Sequence, residues 1–98
     1  MSSAKSLIHP GEILSETFLK PLEISRSRLA MDIGVPVSRI HAIINGTRQI
    51  SLDTAVRLGR YFCTGAKFWI DLQIAYGLGS MGKPSGGEFE KIPQLFKI

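Results

Sequence analysis

The sequence predicts an all-α domain of five helices built around a helix-turn-helix, and three observations predict it. Residues 26–50, RSRLAMDIGVPVSRIHAIINGTRQI, read as two short amphipathic helices joined by a tight turn at Gly34. Residues that start or end helices, among them Pro10, Ser25, Gly46 and Ser51, recur along residues 9–76. No segment alternates strongly enough to predict a strand, and there is no internal repeat. With 98 residues, 44% apolar and 20% charged, the chain can bury one modest core. Domains of this size often gain stability by pairing, so an oligomer is expected from length alone.

The first helix starts at His9-Pro10-Gly11-Glu12, because proline fits a first turn in which its missing N–H has no partner to lose. Glu12 and Glu16 suit the positive end of that helix. Ile13, Leu14 and Phe18 give it an apolar side, and Pro21 stops or kinks it. Ser25 is a natural cap for a second helix over Arg26 to Ile33, with Leu29, Ala30 and Ile33 inward. Gly34 supplies the freedom of the turn, and Val35 plugs the angle behind it.

A third helix follows, from Val37 to Asn45. With Ile40 at zero and steps of about 100° per residue, Ile43 and Ile44 fall on its side. Ser38, Ala42 and Asn45 point the other way, flanked by Arg39 and His41. Gly46 ends the helix. Ser51 caps a fourth helix reaching about Phe62, with Leu52, Ala55, Val56, Leu58 and Phe62 as core candidates. Gly59 inside it lets another helix come close. Thr64 caps a fifth helix over about Ala66 to Tyr76, rich in Phe68, Trp69, Ile70 and Leu72. Half of the ten glycines then fall within residues 77–98, beside Pro84 and Pro93. The chain therefore divides into a domain over 1–78, with its motif at about 26–45, and a tail over 79–98. The tail is expected to be flexible from Gly79 to Gly87, with Ile92, Leu95, Phe96 and Ile98 able to dock on a partner.

Charge placement points to nucleic acid. The net charge is +4, and all six arginines (Arg26, Arg28, Arg39, Arg48, Arg57 and Arg60) lie between residues 26 and 60, opposed there only by Asp32 and Asp53. Elsewhere six lysines balance six carboxylates. Arginine is the side chain best shaped for phosphate oxygens and guanine edges. Arg39 is the best candidate for a base contact, with a phosphate contact at even odds, since half or more of protein–DNA hydrogen bonds go to the backbone. Ser38 at the exposed first turn can reach a base or a phosphate, and His41 a phosphate. Asn45, next to Gly46, serves helix ending. Late in the domain Phe68, Trp69, Leu72 and Tyr76 are either core or, because aromatics are enriched at interfaces, a dimer seam on the fifth helix.

Other classes find little support. His9, His41 and Cys63 match no metal-ligand spacing, and Cys63, beside Phe62 on an apolar helix end, is expected to pack as a buried thiol. There is no Gly-rich phosphate loop and no paired nucleophile and base, so an enzyme is not expected. One cysteine makes no disulfide framework. Neither a signal peptide nor a membrane span is visible, and the simplest setting is cytoplasmic.

The segments HPGEIL (9–14), RSRLAMDIGVPVSRI (26–40), INGTRQIS (44–51), DTAVRLGRYF (53–62) and FWIDLQ (68–73) together resemble the HigA-type antitoxins, also described as virulence-associated protein I, within the Xre/Cro repressors. The resemblance covers about residues 7–78. It implies an all-α domain, a homodimer, a palindromic operator in double-stranded DNA, and a cognate toxin, usually a RelE-like mRNA endonuclease. By the same resemblance Arg26 matches a residue that often holds a phosphate. Val37, Ser38, Arg39 and Ala42 match the surface that enters the major groove, and Thr47 and Arg48 the loop that grips the backbone. Many Xre repressors carry a polar residue where this chain has Val37; apolar Val37 and Ala42 suit thymine methyl groups instead. No cofactor is implied. Two other readings remain: a generic Xre regulator of the phage-repressor or restriction-controller kind, without a toxin, and a toxin-binding module with little affinity for DNA.

Overall fold

The computed structural model describes residues 8–81 and 89–96. Its regular elements, among the described residues, are five helices and no strand. Helix α1 occupies residues 10–22 in three registers: Pro10–Ile13 is α-helical, Leu14–Leu19 is π-helical, and Lys20–Leu22 returns to α. His9 caps it, Nδ1 accepting from the Gly11 amide at 2.9 Å. Pro21 accounts for the wide middle. A proline ring clashes with the carbonyl four residues back and has no N–H to offer it. The wider winding shows at the residue before the proline, where the Lys20 amide donates to the Ser15 carbonyl five residues back rather than to that of Glu16. Pro21 therefore does not end the helix. It ends after Leu22, where Glu23 takes a left-handed φ of 55°.

The next three helices begin and end as their sequence demands. Helix α2, Arg26–Ile33, is capped by Ser25 Oγ accepting from the Arg28 amide and stops at Gly34, φ 75°. Helix α3, Val37–Asn45, stops at Gly46, φ 84°. Helix α4, Leu52–Tyr61, is capped by Ser51 Oγ accepting from the Thr54 amide. Its core residues are fewer than the sequence suggests: Ala55 and Leu58 are buried, but Leu52 and Val56 are exposed. At about 100° per residue these two lie about 40° apart and outside the sector of Thr54, Ala55 and Leu58, and a surface helix buries only one sector.

Helix α5 departs most from expectation. It runs Ala66–Met81, past Tyr76 and past the 78/79 division. Gly79 to Met81 are helical rather than a flexible tail; the remainder of that stretch, through Gly87, lies outside the described residues. A glycine in a helix costs only about 1 kcal/mol relative to alanine, so Gly77 and Gly79 do not break it. Thr64 does not cap it. Its hydroxyl donates to the Gly65 carbonyl, and Gly65, φ 83°, makes the bend. Cys63 stands in the same bend with φ 60° and is exposed, not buried. A left-handed residue beyond the helix end turns away from the apolar side that its neighbour Phe62 joins.

The core forms where all five helices meet, around Leu14, Leu29, Ile40, Ile43, Leu58 and Trp69. Phe18, Phe62 and Phe68 stack about Trp69 with centroids 5.1–6.2 Å from its ring. Two glycines permit close backbone approach. A methyl at Gly11 would overlap the Ile43 carbonyl, and one at Gly59 the backbone of Gly65 and Ala66. Polar ties fix the motif to its support. Tyr61 donates to Asp32 at 2.6 Å, Arg57 Nη1 to the Ile33 carbonyl at 2.7 Å, and the Ile50 amide to Gln73 Oε1 at 2.8 Å. The Tyr61 hydroxyl, with Arg28 beside it, holds the Asp32 carboxyl below its usual range, and the same bond raises the Tyr61 phenol.

Candidate nucleic-acid interface

Helix α3 separates its sides cleanly. Ile40 and Ile43 are fully buried and Ile44 packs against the core. Val37, Ser38, His41 and Asn45 are exposed, and Ala42 is half-buried. The motif's turn leaves this outer side uncovered by other described elements, held from behind by α1 and α2. Residues of both outward types therefore share one surface: hydrogen-bonding Ser38 and Asn45 beside apolar Val37.

Two predicted site residues touch. Arg26, in the first turn of α2, donates from Nη1 to His41 Nδ1 at 3.1 Å. The pair brings a potential phosphate ligand against the recognition helix, a contact across 15 positions that sequence spacing does not reveal. Arg39 is neither free nor sealed: its side chain is 25% exposed. Its Nε is buried without a hydrogen-bond partner among the described residues. Its Nη1 lies 3.7 Å from Asp53 Oδ2 in the first turn of α4.

The loop after α3 divides its two candidates. Thr47 folds back on the end of α3, with both its amide (2.9 Å) and its hydroxyl (3.2 Å) donating to the Ala42 carbonyl, although the residue is exposed. Its proton is thus used in ending the helix. Arg48 stands exposed beside it. Thr47 and Arg48 border a pocket with His9, Gln73, Tyr76 and Ser80, so the loop lies against α5.

The four residues expected at a dimer seam do not share one surface. Trp69 is fully buried in its own subunit and offers nothing to a partner. Leu72 is partly buried against the core, and Tyr76 packs edge-on to His9 with centroids 4.7 Å apart. That burial lowers the His9 pKa. Phe68 stays partly exposed. The apolar side that α5 does leave open carries Ile74, 53% exposed, and Leu78, 67% exposed. A helix expected to end at Tyr76 leaves out Leu78 and so leaves Ile74 without its partner one turn on; their four-residue spacing was the available signal.

Among the described residues no group of His, Cys, Asp or Glu could hold a metal ion, and no helix is long and apolar enough to cross a membrane.

Comparison with known proteins places the chain. A helix-turn-helix family profile matches residues 16–62. The chain is 49% identical over 71 residues to virulence-associated protein I of Dichelobacter nodosus, a match spanning 72% of this chain and 66% of that protein, just under two thirds of its length. The Pseudomonas aeruginosa antitoxin HigA, solved with the higBA promoter, superposes with a TM-score of 0.81 at 40% identity, covering 93% of this chain and 100% of that one. The antitoxin GraA in complex with its operator superposes with a TM-score of 0.82 at 32% identity, covering 99% of each chain.

Proposed function

The chain belongs to the helix-turn-helix proteins of the HigA, or virulence-associated protein I, type, a group of DNA-binding antitoxins rather than enzymes, and on that premise we propose that it is a sequence-specific transcriptional repressor that also neutralises a toxin. Two copies bind a palindromic operator, setting their α3 helices about 34 Å apart in successive major grooves. Val37, Ser38, Arg39 and Ala42 face base edges. Arg26, His41 and Arg48 hold phosphates, and Thr47, whose amide and hydroxyl both end α3, sets the course of the loop that presents Arg48. The twofold seam runs along the outer side of α5 that carries Ile74 and Leu78. The toxin is a small RelE-like mRNA endonuclease.

The observation that carries this reading is the recognition helix itself. Buried Ile40 and Ile43 seat it, and the side bearing Val37, Ser38 and His41 is left open, with the half-buried Arg39 at its edge. Neighbours at 32–40% identity that were solved with promoter or operator DNA support the same use of the fold. Selection of bound duplexes from a random pool tests it. The expected result is one enriched site with twofold symmetry and half-sites about 10 base pairs apart. An unenriched pool, or a lone half-site, overturns the dimeric repressor. For the antitoxin role, co-expression with a RelE-like toxin that the chain binds should relieve the growth arrest that the toxin causes; arrest that persists despite binding overturns neutralisation.

A further inference from the structure

Resting on the DNA-binding reading above, we infer that Asp53 is a positioning residue for Arg39 and sets how strongly operator is preferred over other DNA. A carboxylate beside a surface that meets phosphates is at first sight unfavourable. Asp32, the other acid of the arginine-rich window, is engaged by Tyr61 and Arg28. Asp53 is different, because it stands next to the recognition helix and 60% of its side chain is exposed.

A chain of contacts fixes it there. The Ile33 carbonyl, at the turn of the motif, accepts from Arg57 Nη1 at 2.7 Å. Arg57 Nε donates to Asp53 Oδ2 at 2.9 Å. The same oxygen lies 3.7 Å from Arg39 Nη1. That separation is too long for a hydrogen bond and short enough for charge attraction. Asp53 therefore pulls on Arg39 without using up its donors.

The geometry of Arg39 completes the argument. A guanidinium can fork through its Nε side edge or through its two terminal nitrogens. Nε is sealed in the protein. Only the terminal edge can meet DNA, and Asp53 sets the direction of that edge. An arginine without this restraint swings to the nearest phosphate, and phosphate contacts carry no sequence information. With Asp53 in place, Arg39 is drawn off the phosphates, and every duplex must approach a fixed negative charge. A guanine offering O6 and N7 to the aimed fork offsets that cost; other base pairs do not. Asp53 thus acts mainly by weakening binding to the wrong sequences.

Binding of the full chain to two duplexes tests this: the site selected from a random pool, and a shuffled duplex of equal length, each titrated over a range of salt. Asp53→Asn should tighten binding to shuffled DNA and lower the preference for operator about tenfold. Its salt dependence on shuffled DNA should steepen by about 0.9 per bound subunit, as the released Arg39 takes a phosphate. In the native background Arg39→Ala should weaken operator binding selectively; in the Asp53→Asn background it should weaken both duplexes alike. Asp53→Glu, which keeps the charge, should retain most of the preference, and Asp53→Ser should reproduce Asp53→Asn with a different side chain. Thermal unfolding verifies that each variant is folded. If Asp53→Asn and Asp53→Ser shift both duplexes by one factor while the Arg39→Ala loss stays operator-selective, Asp53 does not position Arg39. A native chain that binds both duplexes equally overturns the DNA-reading proposal itself, which is a separate result.

Discussion

Helices α3 and α5 are both rich in apolar residues, yet they dispose of them in opposite ways. In α3 the isoleucines gather on one side and are buried, while the polar residues gather on the other. In α5 apolar residues surround the helix: Trp69 is sealed, and Ile74 and Leu78 face outward. Segregation tells a reader of the sequence which side of a helix is free for a ligand. Encirclement tells only that two surfaces want covering, one of which the subunit covers itself.

Substitutions on the two helices should therefore fail differently. The largest effect is expected at Trp69→Ala, which removes the centre of the aromatic cluster and should cost about 3–5 kcal/mol in urea unfolding; a loss below about 1 kcal/mol would mean that α5 does not anchor the core. Arg39→Ala on α3 should leave unfolding unchanged and cost about 1–3 kcal/mol on operator, and a fall in thermal stability would show a structural role instead. On the outer side of α5, Ile74→Gln with Leu78→Gln should raise the dimer dissociation constant about tenfold or more, measured by sedimentation, with little change in helix content. An unaltered dimer would place the seam elsewhere. Arg48→Ala, just beyond α3, should weaken all DNA alike and reduce the salt slope by about 0.9 per subunit.

The smallest effect concerns His9, where α1 meets α5. Burial favours its neutral form, so its pKa is lower in the folded chain. Its stabilising contribution is complete above imidazole's ordinary value of about 6.5 and is lost as pH falls through the lowered folded value. Between about pH 7 and about pH 5 the native chain should lose more thermal stability than His9→Asn, which keeps a capping acceptor without titrating there. Equal losses would remove His9 from the account.

What the sequence disclosed follows the same division. Ser25, Gly34, Gly46 and Ser51 are local devices whose chemistry needs only near neighbours, and each stands where its residue type demands. The inward isoleucines of α3 were equally plain, because one period governs them. The π-helical turn was not, since Pro21 could be accommodated in more than one way. Thr64 and the end of α5 misled because glycines near a helix end look like a stop signal when no packing is visible. Leu52, Val56 and Cys63 were expected inside on hydrophobicity alone, which does not say which sector a helix buries. The contacts of Arg26 with His41 and of Arg39 with Asp53 join separate elements, and no local rule brings them together.

Gly11 bears on how such a protein can diversify. The α1 backbone rests so closely on the Ile43 carbonyl that no larger residue fits between them. Helix α3 is thereby gripped by its main chain, which every amino acid shares, rather than by the side chains that meet a ligand. Val37, Ser38, Arg39 and Ala42 can be exchanged for other letters while the depth of insertion is preserved. New binding preferences are then reachable by single exchanges on a scaffold that does not have to be refitted, provided position 11 never varies.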